Sequence, residues 1–175
     1  MTSSKIVVRS AKDRDLSTLQ SVAKSTFIAT YEAYNTPENM RFYLETHFSE
    51  KAIINQLNDP EVQFFLAEQN EITMGYIKLN MGNAQTEAGY PNTLEIERIY
   101  VLSEFHGKGY GKLLLQKAIE VGRNNLVDHV WLGVWDQNPK AIAFYERNGF
   151  STFGTHEFLL GDDPQRDYMM KFDLS

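Results

Sequence analysis

The chain has 175 residues, 42% of them apolar and 13% aromatic, proportions that suit a soluble globular protein with one substantial core rather than two. No window approaches eighteen uninterrupted apolar residues, so a membrane span is not expected, and the lack of cysteine removes disulfides, thiolate metal sites and a cysteine nucleophile together. Seventeen basic against 23 acidic residues leave a net charge of −6, which disfavours a nucleic-acid partner and favours cationic ligands.

The opening stretch MTSSKIVVRSAKDRD has no long apolar core ahead of a small-residue cleavage site, so no signal peptide is predicted and the cytoplasm is the expected compartment. Within it, KIVVRSA alternates as a strand. Asp13 is the expected N-cap of a helix whose Leu16, Leu19, Val22, Ala23 and Phe27 share a face. Thr36 and Pro37 have the N-cap and first-turn chemistry of a second helix, with Met40, Tyr43, Leu44 and Phe48 as its stripe. A third, short helix is predicted from Ser49 to near Asn58. VQFFLAEQNEITMGYIKLN reads as a β-hairpin around Gln69-Asn70-Glu71, because apolar β-formers flank a polar break.

Met81 to Asn92 holds three Gly or Pro residues and few apolar ones, a loop long enough to expect a role beside a site. TLEIERIYVL follows as a strand, with Glu95, Glu97, Ile99 and Val101 expected on one face. Three glycines at alternate positions, Gly107, Gly109 and Gly111, come next. Leu113, Leu114, Lys117, Ala118 and Val121 then have helical spacing, and HVWLGVW is a buried strand. Strand, glycine turn, helix and strand form a βαβ unit, which implies that its two strands pair in parallel. Asn138 and Pro139 open a helix that runs through Tyr145 to Arg147 and is ended by Gly149, before two C-terminal strands around GDDPQRD. With no repeat or linker in view, residues 1–175 are read as a single domain.

Amides at a helix N-terminus lack internal partners, so an anion placed there is held by backbone hydrogen bonds and favoured by the helix dipole. Gly107, Gly109 and Gly111 would let the backbone approach it closely, and Lys108 and Lys112 add positive charge. The order G-K-G-Y-G-K does not match a dinucleotide fingerprint or a P-loop, whose glycines and Ser/Thr fall elsewhere. A tight turn with no ligand is the alternative for this segment taken alone.

Together with NPKAIAFYERNGF some thirty residues on, the segment resembles the GCN5-related N-acetyltransferases, whose signature is a strand, Q/R-x-x-G-x-G/A opening a helix, and then an N-x-x-A-x-x-F-Y-x-x-x-G-F helix. Here these are His106 through Gly111, and Asn138, Ala141, Phe144, Tyr145, Gly149 and Phe150. TLEIERIY, WLGVW, GDDPQRD and the helices around N-x-P-E-N-M are similar to the bacterial PaiA-type spermidine/spermine acetyltransferases. The resemblance implies an α/β fold (α+β in some schemes) with a mixed central sheet of about seven strands. It further implies a central parallel pair splayed around the cofactor and four or five flanking helices.

It also implies acetyl-CoA as cosubstrate and no metal. The pantetheine arm is expected beside Ile99, Tyr100 and Val101, where this strand parts from the Val127 to Val134 strand, and at Asn138. The pyrophosphate is expected at His106, Gly107, Lys108, Gly109, Tyr110, Gly111 and Lys112. His106 stands where the family has Gln or Arg, so the backbone is expected to contribute more than that side chain.

An aliphatic ammonium of pKa about 10.4 must lose a proton, at a cost of about 4.6 kcal/mol at pH 7. A carboxylate, directly or through water, is a suitable acceptor. Glu97 is the candidate base, the alternative being that Glu95 and Glu97 are exposed strand carboxylates. Tyr145 is the candidate acid for the leaving thiolate, against a core tyrosine. A backbone N–H between Ile99 and Val101 is the candidate oxyanion donor, and transfer is expected to be direct.

Candidate acceptor residues are Tyr31, Glu32, Asn35 and Glu87. His47, His129 and His156 are read as surface or packing residues, and Trp131 and Trp135 as core or cleft lining. The resemblance implies acetylation of a polyamine or similar small amine, by a monomer or homodimer. Acetylation of a protein N-terminus or lysine, and a non-catalytic acetyl-CoA sensor, are the alternatives.

Overall fold

The computed structural model describes residues 4–174. In chain order the elements are β1 (Val7–Ser10), α1 (Leu16–Tyr31), α2 (Pro37–His47), α3 (Glu50–Leu57), β2 (Val62–Gln69), β3 (Ile72–Asn80), β4 (Thr93–Val101), α4 (Tyr110–Asn124), β5 (His129–Trp135), α5 (Pro139–Arg147), β6 (Ser151–Leu160) and β7 (Asp163–Asp173).

Local chemistry sets most of these boundaries. Thr36, Ser49 and Asn138 accept from the backbone N–H groups of Asn39, Ala52 and Ala141 at 3.1, 3.2 and 3.2 Å, each cap stabilising its helix by about 1 kcal/mol. Asp13 does not cap α1 as expected. It lies in a 3-10 turn, Asp13–Asp15, and the carboxylate that ties this entry down belongs to Asp15. Asp15 accepts from Lys12 N at 2.8 Å and from both terminal nitrogens of Arg9 at 2.9 and 2.8 Å. The Arg9 hydrogen bond holds its carboxyl down at about 2.

The β2–β3 turn is the two-residue pair Asn70-Glu71, both at positive φ (54° and 64°), the twist that suits a tight hairpin. At the other end of the chain, Gly161 (φ +67°) and Asp162 make the β6–β7 turn. Pro164 to Asp167 therefore belong to β7 rather than to a loop.

One mixed sheet carries the strands in the order β1-β2-β3-β4-β5-β7-β6, with β4 and β5 its parallel pair. On one face, Leu114, Leu115 and Ala118 of α4 and Tyr145 of α5 pack on Ile77, Leu79, Leu94, Ile96, Val130 and Leu132. On the other, α1, α2 and α3 set Leu19, Phe27, Met40 and Ile53 against Phe64, Leu66 and Tyr76. These are the expected α/β architecture, seven-stranded sheet and five helices.

Two irregularities position the site. Lys78 of β3 stands opposite Arg98, and Leu79 opposite Ile96, so Glu97 is the extra residue of a β-bulge. The bulge resets the alternation: Ile99 and Val101 join Leu94 and Ile96 on the α4 face, whereas Glu95 and Glu97 look toward α1–α3, both bonded to Asn80. The common face expected for Glu95, Glu97, Ile99 and Val101 is therefore split at Glu97. The β4–β5 pairing, in turn, runs only from Thr93↔His129 to Ile96↔Leu132. Beyond it the two strands continue unpaired and form a fork.

Candidate active site

The backbone of β4 is open on the fork side. Leu102 N–H donates to Met74 O at 2.9 Å, which makes Tyr76/Tyr100 a hydrogen-bonded pair and leaves Gly75/Val101 and Ile77/Ile99 as non-hydrogen-bonded ones. The N–H and C=O groups of Ile99 and Val101 thus point away from β3 into the fork. Those of Tyr100 are spent on β3, and its ring lies on the α1–α3 face.

At the tip of the fork, α4 begins with Gly109 as its N-cap residue. Gly107 and Gly109 have φ of +75° and +88°, and a Cβ built on either meets nothing within 4 Å. The turn is therefore both left-handed and open to an incoming group. The first helical bond runs from Leu113 N to Gly109 O, so the amides of Tyr110, Gly111 and Lys112 face outward without helical partners.

Gly111 differs from the other two glycines. Its Cβ position is 3.5 Å from the Phe144 ring, and its φ is ordinary, so it serves helix packing. Tyr110 likewise turns its side chain inward, its hydroxyl donating to Gln69 at 3.0 Å. His106 is folded back, with Nε2 2.7 Å from Val101 O, while Lys108 and Lys112 remain exposed. Among the expected cofactor residues the backbone is open at Ile99, at the Val101 N–H and at Tyr110 to Lys112, whereas the Tyr100 backbone, the Val101 carbonyl and the side chains of His106 and Tyr110 are committed to the protein.

Tyr145 on α5 is buried between Phe144 and Phe150. Burial raises its phenol well above the ordinary value, with a further push from Tyr100, so it keeps its proton throughout the neutral range. Asn138 uses Oδ1 as the α5 cap, which leaves its amide N–H groups for a ligand.

On the other side of the sheet lies a buried polar cluster. Glu97 is ion-paired with Lys78, accepts from Asn80 Nδ2 at 2.9 Å and lies 3.8 Å from Arg98. Burial pushes its carboxyl up, but the charges of Arg98 and Lys78 and the hydrogen bonds from Lys78 and Asn80 outweigh it, so Glu97 sits below the ordinary carboxylate value. The free carboxylate expected of a base is instead a fixed anion. Glu95 is buried, at 3% exposure, against the reading of it as exposed. It accepts from Thr86 N at 2.8 Å, from the Thr86 hydroxyl and from Asn80, and so pins the loop before β4. Trp131, fully buried, pins the same loop by donating to Gln85 at 2.8 Å.

That loop delivers Glu87 to the site. Glu87 Oε1 stands 2.9 Å from His156 Nδ1, although the angle falls outside hydrogen-bond geometry and leaves Nδ1 without a partner. His156 Nε2 is 3.1 Å from Asp167. Tyr31 reaches the same region, 5.4 Å from Trp135 between ring centroids.

Glu32 and Asn35, expected with Tyr31, line a separate open groove of about 640 Å³ between α1 and α2. The sequence reading missed Lys78, Asp167 and His156. Gly133, a glycine inside a buried strand, was the available signal of a close approach there.

The fold and the fork are those of an acyl-transfer enzyme of the mixed α/β class, with backbone groups open along β4 and a buried polar cluster on the α1–α3 face. The profile of the Acetyltransferase (GNAT) family matches residues 26–150, and the chain belongs to that family; it is an N-acetyltransferase of the GNAT type. An uncharacterised N-acetyltransferase in the pepI 3′ region of Lactobacillus delbrueckii subsp. lactis is 37% identical over 171 residues, 98% of either chain. The spermidine N(1)-acetyltransferase of Thermoplasma acidophilum is 25% identical over 154 residues, 86% of this chain and 91% of its own. The crystal structure of the PaiA N-acetyltransferase of Thermoplasma acidophilum in complex with coenzyme A has the same fold, with a TM-score of 0.78 at 23% identity over 97% of this chain and 99% of that one.

Proposed function

We propose that the protein is a single-domain enzyme that transfers the acetyl group of acetyl-CoA directly to a primary amine of a polyamine such as spermidine. The observation that carries this reading is the set of unspent backbone groups on β4, the N–H and C=O of Ile99 and the N–H of Val101, in the same chain segment as the open glycine turn at the start of α4. Acetyl-CoA supplies the activated acyl group. Ile99 and Val101 would hold its amide-bearing arm by backbone hydrogen bonds, with Asn138 as a further donor. The outward amides of Tyr110 to Lys112, with Lys108 and Lys112, would take its phosphates.

Tyr145 is the acid for the departing thiolate. Donation from an ordinary phenol of pKa about 10 to a thiol of about 8.5 is already uphill by about 2 kcal/mol, and the burial of Tyr145 steepens it, so a preorganised hydrogen bond to the thiolate must offset the difference. A backbone N–H of Ile99 or Val101, fixed before reaction, stabilises the charge that develops on the carbonyl oxygen. Glu97, held as an anion by Lys78 and Arg98, draws the ammonium toward the fork, and the ammonium gives its proton to water before the amine attacks.

Three observations favour a polycation as acceptor: the net charge of −6, the carboxylates of Glu87 and Asp167 on the acceptor face, and the similarity to a spermidine acetyltransferase. Mass-spectrometric analysis of a reaction with acetyl-CoA and spermidine tests it: mono-acetylated spermidine is expected, and unmodified spermidine after complete incubation would contradict it.

A further inference from the structure

Asp167 and His156 are not used by the chemistry above, yet they stand at the mouth of the fork. They are register partners on β7 and β6, and Gly133, the residue just after the last β4–β5 pair, makes room for them. A Cβ on Gly133 would be 3.0 Å from Asp167 Oδ2 and 3.0 Å from His156 Nε2. Gly133 alternates with Leu132 and Val134 of the α4-side core, so the pair lies on the opposite, acceptor face.

One oxygen of Asp167, Oδ2, takes the imidazole at 3.1 Å. The other, Oδ1, is fully buried and has no hydrogen-bond partner among the described residues. A buried carboxylate oxygen without a donor is costly, and a ligand that supplied the donor would remove that cost. Its surroundings suit a cation. Burial and the charge of Asp167 both raise the phenols of Tyr31, Tyr43 and Tyr100, which places all three near it. Tyr31, Trp135 and Phe158 form aromatic walls at centroid separations of 5.4 and 5.8 Å, the kind of surface that attracts an ammonium. Arg98, the cation nearest these phenols, is turned to Phe48, Gln56 and Glu97.

We propose that Asp167 is the anionic anchor for an ammonium group of the acceptor, and that His156 is the positioning residue that aims its open oxygen into the fork. The inference rests on the reading of the protein as an amine acetyltransferase. Glu87, 37% exposed on its side chain, continues the line of negative charge outward and suits a second ammonium of a linear polyamine. The groups facing His156 are Asp167 from β7 and Glu87 from the loop before β4. Asp167 faces His156 together with the three tyrosines of α1, α2 and β4.

The test is steady-state kinetics with spermidine, spermine and an N-terminal-alanine peptide, together with calorimetric titration of acetyl-CoA in the absence of amine. Asp167→Asn is expected to raise KM for the amine by at least about 10-fold, more than any fall in kcat, with acetyl-CoA affinity within twofold of wild type. His156→Gln, which keeps a donor for Asp167, should raise KM less than His156→Ala. It should also abolish the fall in amine KM that the wild type shows as the imidazolium loses its proton. Spermidine should shift the His156 ring signals of the wild-type protein in NMR spectra. Wild-type turnover with an unchanged amine KM in Asp167→Asn overturns this assignment alone; a wild type that neither binds nor acetylates any of these amines overturns it together with the amine reading.

Discussion

Lys78 of β3 and Glu97 of β4 form an ion pair at the β3–β4 bulge, with side-chain exposures of 7% and 22%. Removing one partner strands the other in a poorly solvated place, so Glu97→Gln is expected to cost about 3 kcal/mol of stability by denaturant titration. Lys78→Met in the Glu97→Gln background should recover part of it, because Lys78 is then no longer stranded while Arg98 still lacks its carboxylate. Depression of the Glu97 carboxyl below its ordinary 4.5 fixes the sign of the acid response. The pair's stabilisation is complete above pH 4.5 and is lost as pH falls through the folded value. A double mutant no more stable than Glu97→Gln would contradict this account.

Tyr145→Phe removes one hydroxyl from a buried ring and leaves its packing against Phe144 and Phe150 intact. Turnover should fall by about 100-fold or more, the usual contribution of a positioned acid, with acetyl-CoA affinity within twofold. Unchanged turnover across pH would remove Tyr145 from the acid role and return it to the core.

The glycines separate by conformation. Gly109→Ala forces a side chain into φ +88°, at a cost of about 1 kcal/mol, and should weaken acetyl-CoA binding in a calorimetric titration. Gly111→Ala adds a methyl at ordinary contact distance from Phe144 and should leave both stability and affinity near wild type. Equal losses at the two positions would mean that the turn works through packing alone.

His156 gives the opposite pH sign to Glu97. The hydrogen bond to Asp167 raises its imidazole above the ordinary 6.5, ahead of the opposing effect of burial and with added support from the charges of Asp167 and Glu87. Its stabilising contribution is fully present below pH 6.5 and declines as pH rises through the folded value. A melting temperature that falls over that interval in the wild type, and stays flat in His156→Gln, is the expected result; identical profiles would show that the pair adds nothing to stability.

Much of the architecture was legible because it is written in local chemistry. Thr36 caps the helix it was expected to cap, Ser49 and Asn138 cap the helices they were expected to open, and the strand–glycine–helix–strand order gave the parallel pair. The motif around His106–Gly111 and Asn138–Phe150 pointed to the family. Less legible were the features set by register between distant segments. Nothing local marks Glu97 as a bulge or pairs it with Lys78, nineteen residues earlier. Asp15 replaces Asp13 at the entry to α1 because Arg9, held on the other side by Glu68, is within its reach. His156, read as a packing residue, acquires partners only when β6, β7 and the loop carrying Glu87 are brought together across the chain. Gly111, alike to its neighbours in sequence, proves to be a packing glycine once α5 is laid beside α4.

The most direct measurement is the rate of CoA release from acetyl-CoA with spermidine, spermine, a lysine-containing peptide and no acceptor, followed side by side. Saturable release with a polyamine, well above the rate without acceptor, is the predicted result. Binding of acetyl-CoA with no release for any of these amines would contradict the assignment of this fork as the place where an amine is acetylated.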